Sequence, residues 1–335
     1  MSMRRLTSIA ILTATLALAA PALAQVRAPD GAPNPTASSV NEEMLFKQDP
    51  KIHGRISIPN ATAANLIQPQ GREWRAFRES WMPWIGALAV LGMIAALGLF
   101  YFTRGRIRLE HSEESGKKIL RFNGFERFSH WMTASCFIVL SLSGLNYIFG
   151  KRLLMPLIGP EAFATLAQYG KYAHIYLAWP FMLGVLFMLV LWVRDNIPGK
   201  IDWIWLKQGG GLIGDAHPSA GRFNAGQKMV FWMVVGFGLA MSATGLMMIF
   251  PFAVTDINGM QVMQVIHSLI GVVFIAGILA HIYIGSLGME GAYDAMGSGE
   301  VDLAWAKVHH DLWVKEQQAK TASGPQLGRG QVPAE

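Results

Sequence analysis

QVIHSLIGVVFIAGILAHIYIG, residues 264–285, decides the fold. It is apolar enough to lie in a bilayer, yet it carries His267 and His281 with only apolar or small residues between them. Ionisable groups inside a membrane span are expensive and are kept for function. The two histidines lie close to four helical turns apart, so their imidazoles share a face, roughly 21 Å from one another along the axis. One helix can then give one ligand to each of two centres stacked across the membrane.

The rest of the chain agrees with a membrane setting. Of 335 residues, 52% are hydrophobic and only 15% charged, where a soluble domain has about 25% charged residues. Eleven tryptophans and eighteen phenylalanines suit interfacial anchoring. Five apolar runs, 83–103, 128–149, 172–193, 229–250 and 262–285, each approach the roughly 20 residues that cross a hydrocarbon core. Backbone groups in lipid must pair internally, so these runs are helices. The expected fold is an all-α membrane protein. Residues 128–285 form a four-helix transmembrane bundle, and 83–103 add one extra N-terminal transmembrane helix. No internal repeat is evident. The single cysteine, Cys136, rules out a disulfide framework or a cysteine-held cluster and reads as a small packing residue.

Residues 1–24 have the three parts of a secretory signal peptide: basic MSMRRLTS, an apolar core of about 12 residues, and Ala22-Leu23-Ala24 as a cleavage site. An uncleaved anchor is the alternative. Residues 25–82 are then periplasmic. Loop charges give the same orientation. Arg104, Arg106, Arg108, Lys117, Lys118, Arg121 and Arg127 crowd the 104–127 loop, and Arg194, Lys200, Lys207, Arg222 and Lys228 lie at 194–228. The 150–171 loop has three basic residues and 251–261 has none. Both basic loops and the tail 286–335 therefore face the cytoplasm of a bacterial inner membrane. After about residue 316 the tail reads as disordered.

Nine histidines divide into two groups. His53, His111 and His217 lie in polar loops and read as surface residues, while His309 and His310 read as local surface or packing residues. The remaining four lie at two depths: His130 with His281 near the cytoplasmic side, His174 with His267 near the periplasmic side. Zinc wants three or four protein ligands. Two neutral imidazoles per site, without carboxylates or thiolates, suit the axial positions of a haem. Such a haem has no open position, so it transfers electrons. Gly144, on the His130 face, and Gly238 and Gly245 leave room for a macrocycle or permit close helix packing. At the entrance to the fourth span, Asn224 and Gln227 offer amides and Gly226 a close backbone approach. This loop either hydrogen-bonds a quinone or caps the helix through Asn224.

RFSHW, the histidine of KYAHIYLAW, Asn196-Ile197-Pro198, NAGQKMVFW, the histidines of IHSLIG and LAHIY, and WAKVHH together resemble the gamma subunit of respiratory formate dehydrogenase, a cytochrome b. The resemblance covers roughly residues 120–315. It implies two haem b groups held by His130, His174, His267 and His281, and a quinone pocket lined by Asn224, Gly226 and Gln227. It also implies partners: a molybdenum or tungsten formate dehydrogenase catalytic subunit and an iron–sulfur subunit that feeds electrons inward to quinone. The signal peptide, residues 25–80 and the extra helix depart from the family's short form. Residues 25–80 are expected to help hold the iron–sulfur partner, and Trp74 and Trp81 to lie near the outer interface. The cytochrome b of a nickel–iron hydrogenase is the near alternative. A transporter or assembly factor is a more distant one, because the spans look intact and lack central acidic residues.

Overall fold

The computed structural model describes residues 70–108, 116–211 and 218–323. The stretch read as a signal peptide, the segment up to residue 69, and His53, His111 and His217 lie outside the described residues. Among the described residues five helices are long and apolar enough to cross a membrane: α1 (Gly71–Arg104), α2 (Gly124–Leu153), α3 (Pro160–Trp192), α5 (Ala225–Ile249) and α6 (Ile257–Tyr283, drawn out by a π turn to Gly288). Between α3 and α5 lies the short helix α4 (Lys200–Lys207). Strands β1 (Lys118–Leu120) and β2 (Glu300–Asp302) pair antiparallel, Ile119 opposite Val301. Helices α7 (Leu303–His309) and α8 (Asp311–Ser323) follow. The tail expected to be disordered from about 316 is helical as far as Ser323. The i,i+4 pairs Lys315–Asp311 and Lys320–Glu316 support a polar helix that carries no apolar period.

α2 packs on α3, α5 on α6 and α3 on α5, while α1 lies against α6 and more lightly against α2. Helix starts precede the apolar runs. Pro160 sits in the first turn of α3, where its missing N–H costs nothing. α1 begins at Gly71, within the segment read as periplasmic, and passes through a π turn at Phe77–Trp81. Hydroxyls inside the spans satisfy themselves on preceding carbonyls: Ser129 on Phe125, Thr133 on Ser129, Ser242 on Gly238. Large apolar side chains such as Leu88, Leu142 and Val190 face outward, as lipid permits.

The bundle is two copies of one helical hairpin. Arg121-Phe122-Asn123 returns as Arg222-Phe223-Asn224, 101 residues on. At the same offset Trp131-Met132 returns as Trp232-Met233, Ser143-Gly144-Leu145 as Thr244-Gly245-Leu246, and Ile148-Phe149 as Ile249-Phe250. In the second helices His174, Phe181 and Gly184 correspond to His267, Phe274 and Gly277. Contacts repeat with the residues. Met132 faces Gly184 as Met233 faces Gly277. Asn123 with Glu126 caps α2 reciprocally, and Asn224 with Gln227 caps α5. The two arginines exchange bonds: Arg121 donates to the Arg222 carbonyl at 2.7 Å, and Arg222 to the Arg121 carbonyl at 3.1 Å. The expectation of no repeat is thus overturned. Identities are sparse, and a longer connection in the first hairpin shifts the register between first and second helices.

The end where both hairpins start is capped. β1, β2, α7, α8 and the approach to α5 close over it around Phe122, Trp192, Phe223, Val301, Trp305 and Trp313. Arg121 is caged by the rings of Phe122, Trp305 and Trp313, each between 5.3 and 5.7 Å away. Burial first, and then the Arg222 guanidinium beside it, lower its pKa to about 9, so it stays charged at neutral pH. His310 is buried beside it, bonded through Nδ1 to the Gly221 carbonyl at 2.8 Å. Its role, like that of His309 on the Trp305 ring, is packing.

Candidate functional site

The four span histidines meet in two pairs. His130 on α2 faces His281 on α6 with ring centres 6.2 Å apart, near the capped end. His174 on α3 faces His267 on α6, also at 6.2 Å, toward the far end. Among the described residues no three histidines, cysteines or carboxylates gather where they could hold a metal. The spacing fits an iron between two imidazoles. Metal–imidazole bonds of roughly 2.0 Å, plus about 1.1 Å from each nitrogen to its ring centre, separate ring centres by about 6 Å.

The far-end pair is held from behind. Ser143 Oγ lies 2.7 Å from His174 Nδ1, and Thr244 Oγ1 lies 2.8 Å from His267 Nδ1. The next residue in each helix is a glycine, and a methyl group there would touch the ring edge: 3.9 Å from His174 Cε1 for Gly144, 3.6 Å from His267 Cε1 for Gly245. So Gly144 and Gly245 cradle the two imidazoles, whereas Gly238 lets Val185 pack close, a Cβ there falling 2.9 Å from it. The hydroxyls went unread in the sequence. Their signal is the doubled Ser-x-Ser/Thr-Gly-Leu of SLSGL and SATGL.

By the repeat, His174 and His267 are equivalent, so their centre lies between the two copies. The other pair has no counterpart. Positions matching His130 and His281 are Phe231 and Met188, each 7% exposed in the capped-end core. His130 Nδ1 is buried without a partner among the described residues. Between the two depths Cys136 packs with Phe181, Val185 and Phe274, confirming its packing role.

The NAGQ stretch folds as a capping box. Asn224 Oδ1 accepts from Gln227 N at 2.9 Å and Gln227 Oε1 from Asn224 N at 3.1 Å. What each amide keeps for a ligand is its NH2 group. A Cβ at Gly226 would stand 3.2 Å from the Trp205 ring, so this glycine admits α4. Lys228 fixes the same helix, 2.9 Å from Asp202. Asn196 of the NIP stretch is fully buried, and its carbonyl accepts from Trp232 Nε1 at 2.9 Å.

Comparison with known proteins agrees with this geometry. The family model described as prokaryotic cytochrome b561 matches residues 121–299, which takes in both hairpins and stops short of β1, β2, α7 and α8 of the cap. The cytochrome b556 subunit of the nitrate-inducible formate dehydrogenase of Escherichia coli K12 is 32% identical over 206 residues, 60% of this chain and 92% of that protein. Another formate dehydrogenase cytochrome b556 subunit of the same strain is 30% identical over 207 residues, 61% of this chain and 95% of its own. One from Haemophilus influenzae is 28% identical over 209 residues, covering 60% and 84%. Paired histidines in an apolar bundle and this breadth of likeness place the chain in the prokaryotic cytochrome b561 family.

Proposed function

We propose that this chain is the di-haem cytochrome b subunit of a membrane-bound formate dehydrogenase, passing electrons from an iron–sulfur subunit across the membrane to a quinone. The observation that carries the reading is the two histidine pairs of equal spacing set at two depths of α6. Membership of a cytochrome b family makes haem b the cofactor. His174 and His267 would hold one such group, His130 and His281 the other, and each supplies a one-electron couple when bound. The chain's residues do the remaining work. Each pair of imidazoles would hold one haem and leave it no place for a substrate, and the apolar core of Cys136, Phe181 and Phe274 would keep water from the path between.

The relatives' names support formate dehydrogenase as the complex. Its partners would be the molybdenum or tungsten catalytic subunit and the iron–sulfur subunit. Loop charge supports an inner-membrane orientation with the capped end and the C-terminus cytoplasmic and the N-terminal segment periplasmic. Helix register supports a quinone site beside the capped-end pair. α5 and α6 run antiparallel with Gly271 beside Met241 and Gly277 beside Met233. Continued, this sets His281 level with Met229, within one turn of Gln227. The NH2 groups of Asn224 and Gln227 would donate to the quinone carbonyls, with the Gly226 backbone beside them.

A dithionite-reduced minus oxidised spectrum with a pyridine haemochrome count tests the reading. Two low-spin b haems per chain are expected in the wild type and one in His281→Ala. Well-folded protein without haem would sink it.

A further inference from the structure

The two histidine pairs are chemically unequal. Ser143 Oγ lies 2.9 Å from both the Val139 and Leu140 carbonyls, so its one proton is committed to backbone. Thr244 Oγ1 is engaged likewise, 2.8 Å from the Ala240 carbonyl and 3.2 Å from that of Met241. Toward the imidazoles these hydroxyls can only accept. The protons of His174 and His267 are therefore fixed on Nδ1, and both Nε2 lone pairs are left for a metal. At the capped end His130 Nδ1 has no such acceptor among the described residues.

We propose that Ser143 and Thr244 are positioning residues that set the reduction potential of the far-end centre below that of the capped-end centre. The inference rests on the two-haem reading. An acceptor on Nδ1–H makes the imidazole a stronger donor. A stronger donor favours the ferric over the ferrous state, because the extra positive charge on iron is better compensated. Two such acceptors serve the far-end pair. One electron moves per step, from far-end ferrous to capped-end ferric iron, with no bond made or broken. The hydroxyls give that step a downhill direction toward the cap. The Leu140 carbonyl also lies within hydrogen-bonding reach of His174, so Thr244 is the more decisive of the two.

The test is a spectroscopic redox titration of the purified holoprotein, with His281→Ala used to assign the far-end signal. Thr244→Val keeps the side chain's shape and removes the acceptor. It is expected to shift the far-end ferrous-to-ferric ratio about tenfold at fixed potential, a rise of about 59 mV for a one-electron couple. The capped-end signal should stay put. Thr244→Ser, which restores the hydroxyl, should return the wild-type value. Ser143→Ala should give a smaller rise in the same direction, and it provides the reading if Thr244→Val binds no far-end haem. Two haems whose far-end potential ignores the substitutions overturn this proposal alone. A chain purified without haem overturns the two-haem reading and the proposal together.

Discussion

His310 is the buried histidine that the paired sites leave aside. Burial first, and then the Arg121 charge, hold its pKa well below the ordinary 6.5. Between those values the unfolded chain binds a proton that the folded cap refuses. Stability is therefore full above pH 6.5, falls as pH drops below it, and levels off only under the folded value. Amide protection factors over residues 300–316, exchange rates corrected for the intrinsic base-catalysed rate at each pH, should fall between about pH 7.5 and 5.5 in the wild type and stay flat in His310→Gln. Glu126 makes a second test. Its carboxylate accepts from Arg222 at 2.7 Å, Trp192 Nε1 at 2.8 Å and Asn123 N at 2.9 Å. Glu126→Ala, which orphans the Trp192 N–H and strips Arg222 of a buried partner, should cost about 3 kcal/mol in denaturant unfolding. Glu126→Gln, the residue the second hairpin uses, should cost only about 1 kcal/mol. The four histidines were legible in sequence because ionisable groups in lipid stand out. Ser143 and Thr244 were not, because serines and threonines that bond their own helix are commonplace in spans.

Among the elements, α1 has the least to do with the paired histidines. It docks through Gly86, where a Cβ would lie 3.1 Å from the Phe149 ring and 3.5 Å from Val272. Arg78 reaches the Tyr147 hydroxyl, and Arg152 bonds the Glu79 carbonyl. Gly86→Leu should pry α1 from α2 and α6 while leaving the haem count unchanged, which disulfide trapping between α1 and α6 can read. The apolar runs located all five spans, since about 20 lipid-compatible residues admit few alternatives. They misjudged where helices start, because polar first turns at Gly71 and Pro160 carry no apolar signal. They also missed the cap. β1 and β2 are three residues each, too short for a period, and come together only through distant segments of chain.

For the whole molecule, the orientation can be read directly, because Cys136 is the only cysteine and is buried. Leu157→Cys at the far end should react with a membrane-impermeant maleimide in intact cells, and Gln318→Cys in α8 only after lysis. Reversed labelling would invert the assigned direction of electron flow. The doubled hairpin reaches further back. The exchange of Arg121 and Arg222 bonds is an isologous contact, the kind a C2 homodimer makes with itself. Undo the fusion, and one hairpin supplies a self-complementary face, one histidine, one hydroxyl and one glycine to a centre on the twofold axis. Two identical chains would enclose a single haem there. The capped-end pair breaks that symmetry, with Phe231 and Met188 filling the matching place. The doubled hairpin is what duplication of a single hairpin would leave behind, and the unmatched His130 and His281 are what give its two ends different chemistry.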